Sequence, residues 1–302
     1  MNKNKLTAYT FLTMAMVFWG FSYIWLKTVY QYLPPVTTTF FRLIIATVFL
    51  VALSLIMGKL QKINKKDISL FILLALFEPF LYYMGESYGV SMVSPTVASI
   101  VISMIPLFLP FSMYFLAREP LSLNNFWGIA ISFIGVLMVV LNNDFSFSAS
   151  PLGLACLLSA VASVMGYSYF LVKLASRYNA FTIITVQNFL GIFFFLPAFF
   201  LIDFPALKIP DINSELILNL CALGVFASAM AFFLFTLGIQ RIGVIKATIF
   251  TYIIPVITAV FSFLFLNEIF TAQKMLGIFV VIAGLFLSQV NPSKIFRRKQ
   301  SV

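Results

Sequence analysis

Histidine is absent from the 302 residues, only 9% are charged and cysteine occurs twice. Without imidazole there is no Ser-His or Cys-His nucleophile and no His-based zinc site, so the sequence reads as something other than an enzyme. Cys156 and Cys221 stand in separate apolar runs without CxxC spacing, which argues against a disulfide or metal framework. No GxxxxGK[ST] loop is present, so no bound nucleotide is expected. Nor is any other cofactor. What fills the chain is hydrophobic side chains, 62% of the total and including 37 phenylalanines, against the roughly 45–50% usual in soluble domains. A chain of this kind is built to sit in lipid.

Apolar runs lie at 8–29, 36–57, 68–88, 95–116, 124–142, 151–172, 180–201, 214–237, 244–266 and 273–290, which predicts an all-α polytopic fold of ten spans. The net charge of +10 is distributed as a topology signal and gives no nucleic-acid surface. Lys59, Lys62, Lys65, Lys66, Arg177 and Arg241 fall on one face with both termini, whereas Asp144, Asp203, Asp211, Glu215 and Glu268 fall on the other. The positive-inside rule makes the basic face cytoplasmic. The tail at 291–302, with four basic residues, is expected to stop there and contact lipid headgroups.

The two halves match. An offset of 149 places Gly89, Ala98, Pro106, Glu119, Gly128 and Gly135 on Gly238, Ala247, Pro255, Glu268, Gly277 and Gly284. An offset of 146 places Gly20, Ser22, Tyr23 and Lys27 on Gly166, Ser168, Tyr169 and Lys173, and Arg42 on Asn188, which makes Asn188 a further candidate site residue. Two repeats follow, at 1–142 and 151–290. Because each holds five spans, the second enters the membrane upside down relative to the first. Inverted repeats of this sort surround midplane substrate sites in secondary transporters.

The segments FWGFSYIWLK (18–27), FFRLIIA (40–46), ESYGVSMVSPTVASIVISMIPLFLPFSMYFLAREPLS (86–122) and LGIQRIGVIKATIFTYIIPVITAVFSFLFLNEIFT (237–271) resemble the paired repeats of the drug/metabolite transporter superfamily, in its ten-helix EamA-type branch. The resemblance implies ten helices around a central cavity, with helices five and ten peripheral. It further implies export or exchange of amino acids or other small metabolites across a bacterial cytoplasmic (inner) membrane. A broad exporter of toxic compounds is the alternative within transport. A membrane receptor or assembly factor is the alternative from another class.

Intramembrane charges are costly and therefore informative. Arg42, Glu78 and Glu86 are the candidates, and Glu78, Tyr82 and Glu86 share one helical stripe at i, i+4, i+8. Pro79 removes a helix hydrogen bond beside Glu78 and frees the Ala75 carbonyl. Two readings stand. In one, Arg42 and Glu86 form a structural ion pair. In the other, Arg42 receives a substrate carboxylate while Glu78 carries a proton or anchors an ammonium, an arrangement suited to a zwitterion. Trp19, Tyr23, Tyr82, Tyr83, Tyr169 and Tyr252 can either line the cavity or simply pack. Pro106 and Pro255 read as kinks that shape gates or as fixed bends.

Overall fold

The computed structural model describes residues 3–109, 123–141, 149–207, 212–269 and 271–289. Its long apolar helical segments are α1 (Lys5–Val29), α2 (Pro35–Ile56) and α3 (Lys65–Met92), then α6 (Pro151–Ala175), α7 (Ala180–Asp203), α8 (Ser214–Ile242) and α9 (Val244–Leu266). Three shorter apolar helices complete the described set: α4 (Pro95–Leu109), α5 (Phe126–Val140) and α10 (Ala272–Leu287). The seven long segments have the length and composition to cross a bilayer, and the chain is a multi-pass membrane protein. Glu119, Asp144, Lys208, Asp211 and the tail at 291–302 lie outside the described residues.

Helix starts follow local chemistry. Proline occupies the first turn of α2, α4 and α6, where its missing N–H costs nothing. Ser94, Ser150, Asn179 and Asn213 each accept a backbone N–H from the first turn that follows. Pro34 has no such side chain. Asp203, arriving from the far end of α7, accepts instead from the Thr37 amide at 2.7 Å and its hydroxyl at 2.9 Å. Glu268 accepts from Ser94 and Thr96 at 2.6 and 2.8 Å and from Ser262, tying the end of α9 to the start of α4.

Close backbone packing joins α5 and α10. A Cβ on Gly135 would lie 2.6 Å from the Val281 backbone nitrogen, and one on Gly284 would lie 2.6 Å from that of Ser132. These two contacts exchange under the 149-residue offset. Accordingly, Gly135→Leu should cost about 1–3 kcal/mol through overpacking. Thermal unfolding in detergent should show the loss, and an unchanged melting temperature would refute the close approach.

The offset of 146 for the first two spans of each half does not describe the packing. Gly89 meets Leu157 of α6 as Gly238 meets Leu12 of α1, an equivalence of 145. In α2 and α7, the Phe40–Phe199 stack and the Ser54–Thr185 hydroxyl pair exchange under the same 145. One residue is a rotation of about 100° on a helix of 3.6 residues per turn, so the slip reassigns every face.

Both α3 and α8 are interrupted at their middles. In α3 the wide-turn stretch Leu76–Leu81 holds Glu78 at φ −142°, ψ 115°, the extended region into which a following proline drives its neighbour. In α8 the corresponding stretch is Leu223–Met230. Glu78 and Tyr82 therefore do not stand on one unbroken helix, as the i, i+4, i+8 spacing predicts. The prolines at 106 and 255 also follow interruptions. A turn at Ser103–Met104 precedes Pro106, and the 3-10 stretch Ile249–Ile253 precedes Pro255 in the first turn of renewed α-helix.

Candidate functional site

A cavity with about 70 Å³ of free space lies among α1, α2, α3, α4, α6, α8 and α9. At roughly 10–15 Å³ per water on this measure, it has room for a small head group. Its lining is chemically mixed. The first half supplies Arg42, Glu78, Tyr82, Tyr83 and Glu86; the second supplies Phe232, Phe235, Ile239, Val244 and Ile254 together with Tyr167, Ser168, Thr248 and Thr251. Under the 149-residue offset Tyr83, Glu86 and Glu78 correspond to Phe232, Phe235 and Ala227, so the halves supply unlike surfaces. The lining reaches Ile239 and Val244, beside the glycine-hinged junction at Gly243, whose φ is 83°.

Arg42 is 2% exposed and almost fully engaged. Its Nε donates to Ser228 Oγ at 2.8 Å, its Nη2 to the Tyr83 hydroxyl at 3.1 Å, and its guanidinium stands 4.1 Å from the Tyr83 ring centre. Nη1 lies 3.6 Å from Glu86 Oε2, an ion pair too long for a hydrogen bond. The Tyr82 hydroxyl donates to the other Glu86 oxygen at 2.9 Å. The Arg42–Glu86 ion pair is thus present. Glu78, 2% exposed, has no such partner, and its Oε1 is buried without a hydrogen bond. Seven buried side-chain atoms share that condition among the described residues, and Arg42 Nη1, Tyr167 Oη and Gln187 Oε1 are three more of them.

Seven residues singled out in the sequence meet at the cavity: Trp19, Tyr23, Arg42, Glu78, Tyr82, Tyr83 and Glu86. Trp19 is pinned to the second half, with its indole N–H on the Ala227 carbonyl at 3.2 Å and its ring 4.9 and 5.0 Å from Phe232 and Phe235. Tyr169 is not in the lining: its hydroxyl accepts from Lys173, whose ammonium sits over its ring. Asn188 is also outside, bonding back to the Ile184 carbonyl at 2.9 Å. At an offset of 145, Gln187, one residue earlier, falls on Arg42. Tyr252 packs edge-on to Phe286 at 5.7 Å and leaves its neighbour Thr251 at the cavity. Pro79, Pro106 and Pro255 shape the backbone and do not line the cavity.

Tyr167, Ser168 and Ser22 line the cavity without having been singled out as site residues. At an offset of 145, Ser22 and Tyr23 correspond to Tyr167 and Ser168, so a one-residue correction of the repeat alignment exposes them. Lys27, which is outside that lining, donates to the Ser91 carbonyl at 3.4 Å.

The chain's relatives agree with this architecture. The EamA-like transporter family matches residues 6–141 and again 152–289. The uncharacterized transporter YetK of Bacillus subtilis is 28% identical over 95% of this chain and 88% of its own length. An uncharacterized transporter of Archaeoglobus fulgidus is 27% identical over 91% of this chain and 96% of its own. A chloroplastic WAT1-related protein of Arabidopsis thaliana is 24% identical over 92% of this chain and 68% of its own. A solved crystal structure has the same fold at 16% identity, with a TM-score of 0.69 and coverage of 94% of this chain and 98% of that one. A repeated family match across nearly the whole length, on apolar helices that enclose a charged cavity, makes this chain a member of the EamA-like transporter family, within the drug/metabolite transporter superfamily.

Proposed function

We propose that the chain is a secondary transporter that exports or exchanges small metabolites carrying an ammonium group, such as amino acids, by alternating access. The observation that carries this reading is the cavity itself, where Glu78 offers an unbonded buried oxygen in a lining that also holds Phe232, Phe235 and Ile239 from the other half. A buried carboxylate of this kind is expensive unless a cation or a proton arrives. In this reading, ten helices form two inverted five-helix repeats in a bacterial cytoplasmic (inner) membrane. Both termini are cytoplasmic, and the two repeats rock about the midplane. The reciprocal Gly135 and Gly284 contacts support the repeat, and the basic loops support the orientation.

The aromatic part of the lining, with Phe232, Phe235 and Trp19 in ring contact, favours a second reading in which lipophilic amines of several shapes are carried. Both are decided by counterflow. Vesicles containing only this chain, loaded with an unlabelled compound, should take up the labelled compound against its own gradient. A panel of leucine, phenylalanine, threonine and isoamylamine separates amino acids from simple amines. Flux equal to that of empty vesicles for the whole panel would sink both readings.

A further inference from the structure

We propose that Tyr167 is a substrate-binding residue, receiving a primary ammonium jointly with Glu78. The inference rests on the reading that the cavity holds the transported molecule. Its basis is a pair of buried polar atoms that lack hydrogen-bond partners, Glu78 Oε1 and Tyr167 Oη. Glu78 and Tyr167 both line the cavity, the first from α3 and the second from α6.

The chemistry of the two atoms is complementary to one kind of head group. An ionised Glu78 Oε1 only accepts, while a tyrosine hydroxyl accepts and donates at once. A primary ammonium carries three donors. One N–H of the ligand can be given to Glu78 Oε1 and a second to Tyr167 Oη. A single cation thereby satisfies both atoms. A trimethylammonium has no N–H to give and satisfies neither, although its charge is the same. Discrimination between these two cations is therefore the signature of the arrangement, and charge alone does not produce it.

Tyr167 and Glu78 also come from opposite halves of the chain. A ligand held by both connects the elements that alternating access requires to move relative to one another. The sequence alignment at an offset of 146 hides this residue, because it pairs Tyr23 with Tyr169 and leaves Tyr167 opposite an apolar residue, Phe21.

The test measures binding to the detergent-purified full chain by Trp19-region fluorescence and calorimetry, with leucine, isoamylamine and their N-trimethyl analogues as probes. The wild type should bind at least one primary ammonium about tenfold or more tightly than its trimethyl analogue, the scale of a hydrogen bond to a charged group. Tyr167→Phe, which removes only the hydroxyl, should erase most of that preference while leaving trimethyl binding in place. Binding with the preference intact in Tyr167→Phe would overturn the assignment and leave the transport reading standing. Equal binding of primary and trimethyl ammonium by the wild type would also overturn it. Failure of every probe to bind folded wild-type protein would remove the ammonium reading together with this one.

Discussion

Glu78→Gln should abolish accumulation driven by an imposed pH gradient in vesicles containing only this chain. The carboxyl is 2% exposed, and one of its oxygens is buried without a hydrogen bond beside the cavity. Glutamine keeps nearly the same size and one acceptor, but it neither binds nor releases a proton. What happens to exchange decides the role. If Glu78 is only the proton carrier, labelled substrate should still exchange with unlabelled substrate across the membrane, because exchange needs binding and rocking but no net proton movement. If Glu78 also holds the substrate cation, affinity should fall about 10- to 100-fold, the range of a charge-assisted hydrogen bond. Full accumulation by correctly folded Glu78→Gln protein would show that this carboxylate does neither.

That Glu78, Arg42 and Glu86 line one cavity was legible in the sequence because ionisable residues inside apolar spans have few places to go. The break at Glu78 was partly legible from Pro79, although the spacing rule treated the helix as continuous across it. Aromatic residues were read less well, for a physical reason. Tyr23 and Tyr82 reach the cavity, whereas Tyr169 and Tyr252 do not, and in lipid both faces of a helix are apolar. The usual contrast between a wet face and a dry face is missing. Register carried the remaining error. Identities at an offset of 146 are real, but the glycine contacts of α1 and α6 equate residues 145 apart, and a turn of about 100° moves Tyr167 in and Tyr169 out. The role of Asp203 was hidden as well. It reads as a loop charge until α7 brings it against the start of α2, where Thr37 donates to it twice.

The Arg42–Glu86 pair should behave as one unit in stability and as two in transport. Both side chains are buried, so removing one leaves the other uncompensated in a dry environment. Arg42→Met or Glu86→Leu alone should therefore cost about 3–5 kcal/mol, and the double variant should recover most of that loss. Unfolding of the purified protein in detergent measures the coupling, and single-variant losses that simply add in the double would refute the pair. Transport should not recover in parallel. Arg42 also donates to Ser228 on α8 and to Tyr83 on α3, so it spans the two halves at the level of the cavity. With Glu86 answered by Arg42 and Tyr82, the charge of that pair is closed, and Glu78 is left as the cavity-lining carboxylate still able to receive a cation. In the double variant that separation of roles persists but the link through Arg42 is gone. A protein that melts near the wild-type temperature, binds an ammonium ligand and yet exchanges it slowly is the expected phenotype. Exchange at the wild-type rate would instead mean that Arg42 serves the fold alone.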